Sequence, residues 1–161
     1  MAVWCIRVCS VLLVALSVHG ACEPGWVQFE ESCYTFVTAF RQWSDAKKFC
    51  ENMNNTHLVI VMSKEENEFL KNILRTRHAA PEVQFWMDGV DQRTEGEWVW
   101  ERTGERFEVT DWYPGEPNQS GGEEDCLTFY TIYNMQWNDE HCDRLFPFLC
   151  ERESVDSGIL G

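Results

Sequence analysis

The chain has 161 residues, 44% apolar and 25% charged, with 13 basic against 27 acidic side chains and a net charge of −14. That length buries one real core and leaves little room for a second domain, and the composition excludes a disordered chain. The acid excess disfavours nucleic acid and anionic membrane surfaces as partners and suits cations.

Residues 1–20 stand apart. One charge, Arg7, precedes the apolar run Val8–Val18, and small residues follow at Gly20 and Ala21. This pattern predicts a secretory signal peptide cleaved after Gly20, and hence a secreted, extracellular product. The run is shorter than the roughly 20 residues that span a bilayer, so no membrane span is expected. Cleavage removes one base and no acid, which leaves 12 bases against 27 acids, or −15. Cys5 and Cys9 leave with the peptide. Cys22, Cys33, Cys50, Cys126, Cys142 and Cys150 remain. An even set in a secreted chain predicts three disulfides, with about 15 connectivities open.

Two short apolar runs, Val27–Phe29 and Ser32–Phe36, flank Glu30-Glu31 and predict an N-terminal hairpin. Trp43, Ala46, Phe49, Cys50 and Met53 recur three and four apart, which predicts an amphipathic helix from about Ser44 to Met53. The β-branched run His57–Val61 predicts a strand. Ser63-Lys64-Glu65-Glu66 has the form of a capping box, opening a second helix whose buried stripe is Phe69, Leu70, Ile73 and Leu74. Further strands are predicted at Phe85–Met87, Trp98–Trp100, Cys126–Tyr133, Met135–Trp137 and Phe146–Cys150. Between them, Thr103–Glu124 carries four glycines and two prolines and reads as one long loop. Loops of that length in a compact domain are usually functional. Two early helices followed by a β-rich half make the fold class α+β. Of the eight tryptophans, Trp86, Trp98, Trp100 and Trp137 read as core, whereas Trp112 and Tyr113, beside the loop, are candidates for rim contacts with a ligand. His57 and His141 lack metal-ligand spacing and read as structural or surface residues.

The chemistry concentrates in Glu116-Pro117-Asn118-Gln119-Ser120-Gly121-Gly122-Glu123-Glu124-Asp125, followed by Trp137-Asn138-Asp139. Carboxylates and side-chain amides are hard oxygen donors on irregular backbone, which suits Ca²⁺; no His or Cys lies in the loop segment to favour zinc or copper. Carboxylates neutralise an ion. Amides add oxygens without further repulsion and keep an N–H₂ to donate elsewhere. Alone, Glu123-Glu124-Asp125 would read as a solvated acidic run.

At these residues the chain resembles the C-type lectin domain family, in its long form. The resemblance runs over about residues 22–151 and leaves 152–161 as a short C-terminal tail. It rests on Glu116-Pro117-Asn118 and Trp137-Asn138-Asp139, which match two motifs of that family, and on the six cysteines. It implies a double-loop α+β fold with two helices, two small antiparallel sheets, and the pairs Cys22–Cys33, Cys50–Cys150 and Cys126–Cys142. It implies a principal calcium held by Glu116, Asn118, Glu124, Asn138 and Asp139, with a cis bond before Pro117. Those five residues would also bind a sugar through two neighbouring hydroxyls. A second calcium is implied at Asp91, Glu95, Glu124 and Asp125, although Gln119 departs from the acid or Asn often present beside it.

The order Glu-Pro-Asn implies glycans with equatorial 3- and 4-hydroxyls: mannose, fucose, glucose or N-acetylglucosamine. The alternative is a domain of the same kind that binds a protein or a mineral. An enzyme is not expected, because the chain shows no nucleophile elbow, His-Glu-x-x-His or free cysteine in the mature part. Of the sequons at Asn54 and Asn118, the first is the expected glycosylation site, since the second uses a proposed ligand. Oligomerisation remains open, with no collagen stretch, heptads or spare cysteine to drive it.

Overall fold

The computed structural model describes residues 22–77 and 82–154, so the predicted signal peptide and residues 155–161 of the tail lie outside the described residues. Eight strands and two helices follow in the order β1 (Val27–Phe29), β2 (Ser32–Arg41), α1 (Trp43–Glu51), β3 (His57–Leu58), α2 (Lys64–Arg77), β4 (Gln84–Val90), β5 (Val99–Trp100), β6 (Cys126–Tyr130), β7 (Gln136–Glu140) and β8 (Phe146–Glu153). Two antiparallel groups are present, as expected. One joins β1, β2, β8 and β3, and the other joins β5, β4, β6 and β7. They are fused into one sheet by a single parallel pairing of Trp86 on β4 with Phe148 on β8.

The N-terminal hairpin turns through Glu30-Glu31, with Glu30 in the left-handed region at φ 49°. β2 runs five residues past the predicted Phe36 because β8 pairs along it, from Ser32↔Glu153 to Arg41↔Phe146. The same pairing takes Arg152 and Glu153 out of the predicted tail and into β8. The His57–Val61 reading is shortened to His57–Leu58. Val59, Ile60 and Val61 are buried beyond the strand: Val59 N still donates to the Leu149 carbonyl on β8 at 3.1 Å, but the Val59 carbonyl accepts from Asp88 N and Ile60 N donates to the Glu151 carboxylate.

Helix α1 buries Trp43, Ala46 and Cys50 of the predicted stripe, while Phe49 is half-buried and Met53 lies past the helix end, and the Trp43 indole donates to the Met87 carbonyl at 2.8 Å. At α2 the Ser63 hydroxyl accepts from Glu66 N at 3.0 Å, as a capping box requires. Glu66 reaches back one residue further than that motif predicts, to Met62 N at 2.8 Å, and also takes the Tyr34 hydroxyl at 2.6 Å. It is therefore buried rather than solvated. Leu70, Ile73 and Leu74 are buried and Phe69 is half-buried.

Three disulfides join Cys22–Cys33, Cys50–Cys150 and Cys126–Cys142, the pairs the resemblance implied. All seven residues of β4 are buried. Gly89 is required there, since a Cβ would lie 2.6 Å from both Leu127 Cδ2 and Phe107 Cζ. Trp86, Trp98, Trp100 and Trp137 are core residues as predicted. Trp112 is half-buried. It packs edge-on against Trp98 at 4.9 Å and Trp137 at 5.8 Å, because residues 111–113 run beside β7.

Candidate calcium and ligand site

The long loop is pinned at both ends. Asp111 accepts from Asn67 on α2 at 2.9 Å, pairs with the Lys71 ammonium and takes Trp137 N through its carbonyl at 2.8 Å. The Trp137 indole donates to the Asn67 side chain at 2.9 Å. α2, the loop entry and β7 are thus one hydrogen-bonded unit, and β7 carries the next two residues, Asn138 and Asp139, into the site. β7 is longer than the predicted Met135–Trp137 because it pairs with β6 through Leu127↔Asp139 and Cys126↔Glu140.

The structure brings the five predicted principal ligands into one neighbourhood. The bond between Glu116 and Pro117 is cis. Asn118 side-chain N–H₂ donates to the Glu116 carboxylate. Asp139 Oδ2 accepts from Asn118 N and Gln119 N, each at 2.9 Å, and clamps the loop onto β7. The Asn138 amide lies against the Asp139 carbonyl and donates to Gln84 Oε1 at 3.2 Å. Glu124 is nearly buried and accepts from Ser120 N. The second predicted group is also assembled. Asp91 accepts from Gly96 N at 3.0 Å and its own N–H donates to the Asp125 carbonyl at 3.3 Å. Gln119 bridges this group, donating to Glu95 at 2.9 Å while accepting from Glu124 N at 2.7 Å.

The electrostatics are those of crowded acids, with His141 as the cationic group opposing the rise at Glu124 and Asp125. Burial and the charge of Asp139 push the Glu116 carboxyl up to about 7. Burial, with Glu95, Asp125 and Asp139 nearby, pushes Asp91 up to about 6. Burial also raises Glu124 and Asp125, with Asp139 and Glu123 as their respective acidic neighbours. Among the described residues no Lys or Arg pairs with these groups. Two oxygens in this region, Asp139 Oδ1 and Asp91 Oδ1, are buried without a hydrogen-bond partner. An orphaned buried carboxylate oxygen is costly unless a cation or donor satisfies it, so both groups fit a hard divalent ion. In the second group the Gln119 amide nitrogen already binds Glu95, and it must turn away before an ion can take that oxygen.

Three contributors escaped sequence reasoning. Tyr133 lies close enough to influence the Glu116 carboxylate from 17 residues away in sequence. Gln84, on β4, holds Asn138, Thr128 and Glu140 from behind the site. His141, read as a structural or surface residue, comes with Glu140 to within 4.8 Å of Glu124, although its Nδ1 is occupied with the Glu123 carbonyl at 2.8 Å. No local spacing signals these contacts, because each depends on the β6–β7 register or on the loop folding back.

Residues 40–152 match the model of the Lectin C-type domain family. The chain is 31% identical over 166 residues to a protein named Lectin from Pleurodeles waltl, covering 92% of this chain and 95% of that one. It is 34% identical to asialoglycoprotein receptor 1 of Rattus norvegicus over 92% of this chain, and there it spans 52%, about half, of the relative's length. The solved carbohydrate-recognition domain of the mouse scavenger receptor C-type lectin superposes with a TM-score of 0.74 at 34% identity, covering 84% of this chain and all of that one.

Proposed function

Because this chain belongs to the C-type lectin domain family, whose members are generally binding proteins rather than enzymes, we propose that it is a secreted calcium-dependent sugar-binding lectin that prefers mannose-type sugars. The single observation that carries the calcium reading is Asp139. Its Oδ1 is buried and unpartnered beside Glu116 and Asn118, while its Oδ2 is already committed to two backbone N–H groups. The principal ion would be held by Glu116, Asn118, Glu124, Asn138 and Asp139. Its chemistry there is to accept two neighbouring sugar hydroxyl oxygens as ligands. The protein side chains would supply the rest: Glu116 and Glu124 would accept hydrogen bonds from the hydroxyls, and the amides of Asn118 and Asn138 would donate hydrogen bonds to the hydroxyl oxygens. Acid before the proline and amide after it support the equatorial 3- and 4-hydroxyl preference.

A second ion at Asp91, Glu95, Glu124 and Asp125 is proposed as the weaker site, because Gln119 competes for Glu95. Asn54 lies exposed in the turn before β3 and is proposed as the glycosylated sequon. Among the described residues no helix is long and apolar enough to cross a membrane.

The test is a column experiment on the processed chain. Retention on mannose-agarose in calcium, with release by EDTA, is the expected outcome. Stronger calcium-dependent retention on galactose would overturn the specificity. Bound calcium without retention on either column would favour a protein or mineral ligand.

A further inference from the structure

The loop after β6 brings an aromatic wall to the edge of the proposed site. Tyr113 and Tyr133 lie parallel, with ring centroids 3.8 Å apart and planes 6° from one another. Tyr130 meets Tyr133 edge-on at 4.7 Å. Tyr113 remains 37% exposed.

Both ends of this stack are fixed. Tyr113 N donates to the Trp137 carbonyl at 3.0 Å, and the Tyr113 carbonyl accepts Glu116 N at 2.9 Å, which closes a turn through Pro114-Gly115. Gly115 has φ 108°, a conformation that suits glycine. Tyr133 ends a 3-10 turn over Thr131–Tyr133, followed by two left-handed residues, Asn134 at φ 53° and Met135 at φ 60°. Consecutive non-glycine residues in that region are costly and persist only where surrounding structure holds them. The holding contacts are visible: Arg75 donates to the Asn134 side chain at 3.1 Å and to its carbonyl at 3.0 Å, and Met135 is buried. The Tyr113 carbonyl that accepts Glu116 N ties the stack to a proposed sugar-binding residue, and Tyr133 lies near the same carboxylate.

A rigid aromatic surface with one open ring, joined to a polar cluster, has the make-up of a ligand site: apolar wall, few placed polar groups. We propose that the Tyr113–Tyr133 stack is a second subsite, taking the apolar or C–H-rich face of whatever is attached to the primary sugar. The ligand class is therefore a glycoside bearing an aromatic group or a further sugar ring, in preference to a bare monosaccharide. This rests on the sugar-binding reading above.

The experiment titrates the full processed chain in calcium with methyl α-mannoside, phenyl α-mannoside and a mannose disaccharide. An aromatic contact of about 0.5–1.5 kcal/mol corresponds to roughly two- to twelvefold, so phenyl should exceed methyl by about that factor. Tyr113→Ala should bring the phenyl-to-methyl ratio close to one, and Tyr113→Leu, which keeps bulk but removes the ring, should do the same if the alanine variant folds poorly. Tyr133→Phe keeps the ring and should keep the ratio, while shifting the calcium midpoint. A wild-type ratio of one for both phenyl and disaccharide, or an unchanged ratio in the Tyr113 variants, overturns the subsite. Failure of all three glycosides to bind wild type sinks the sugar reading and the subsite together. If only the disaccharide gains, the wall is a sugar-ring subsite and not a general apolar one.

Discussion

Asp139 concentrates the logic of the site in one side chain. One oxygen clamps the Glu-Pro-Asn loop through Asn118 N and Gln119 N, and the other is buried without a partner. Asp139→Ala should therefore weaken calcium binding by more than about 100-fold, beyond the 10–100-fold typical of supporting residues, as read by calcium titration. Exchanging Glu116→Gln together with Asn118→Asp reverses which side of the proline carries the acid. Column retention should then move from mannose towards galactose.

The proton competes for the same oxygens. In the calcium-free chain Glu116 titrates near 7 and Asp91 near 6, both above an ordinary carboxylic acid. A raised carboxyl pKa means that the folded state holds a proton the unfolded state has lost. The calcium-free fold thus loses stability as pH rises from the ordinary carboxylate range through about 6 and 7. On the proposed reading calcium would replace those protons, so the rise in melting temperature on adding calcium should be larger at pH 8 than at pH 5.5. Mannose binding against pH should likewise fail at higher pH when calcium is scarce. Coincident curves at low and high calcium would rule the competition out.

At the scale of elements, the site depends on how closely β4 and β6 approach. Gly89→Ala would press a methyl into Leu127 of the core and Phe107, a residue of the long loop packed against it. Overpacking of that kind costs about 1–3 kcal/mol, measurable as a lower denaturant midpoint at constant m. The second group tests a different element, the junction between residues 91–96 and the long loop. There Gln119 makes the bridge an ion would otherwise make. Gln119→Asp removes the competing N–H₂ and adds a hard donor, so it should raise calcium stoichiometry or tighten a second, weaker binding step in isothermal titration.

For the whole molecule the disulfides divide the labour. Cys50–Cys150 ties α1 to β8 across a sequence separation of 100 residues, whereas Cys126–Cys142 spans 16 beside the site. Chain entropy makes the longer closure worth about 4.7 kcal/mol and the shorter about 3. Replacing the first pair with alanine should give the larger loss of global stability. Replacing the second should lower calcium affinity more, because Cys126 and Cys142 flank β6 and β7 around Asn138 and Asp139.

Helical spacing in α1, the capping residues before α2, the tryptophan core and the α+β class were all legible in the chain, because each rests on local periodicity or composition. The motif residues Glu116-Pro117-Asn118 and Asn138-Asp139 were legible by resemblance, and so were the disulfide pairs, which spacing had left open among 15 connectivities. Tertiary structure alone decided the rest. It shortened the β-branched run at His57 because, past Val59, the backbone turns from β8 to other partners, with Val59 O accepting from Asp88 N and Ile60 N donating to the Glu151 side chain. It packed one side of Trp112 against the core through the pairing of residue 112 with β7. It buried Glu66 against Tyr34, turned Gln119 into a bridge, and set Tyr133 near Glu116. These outcomes depend on strand register and on where a long loop returns, and such contacts join residues whose sequence neighbours carry no trace of them.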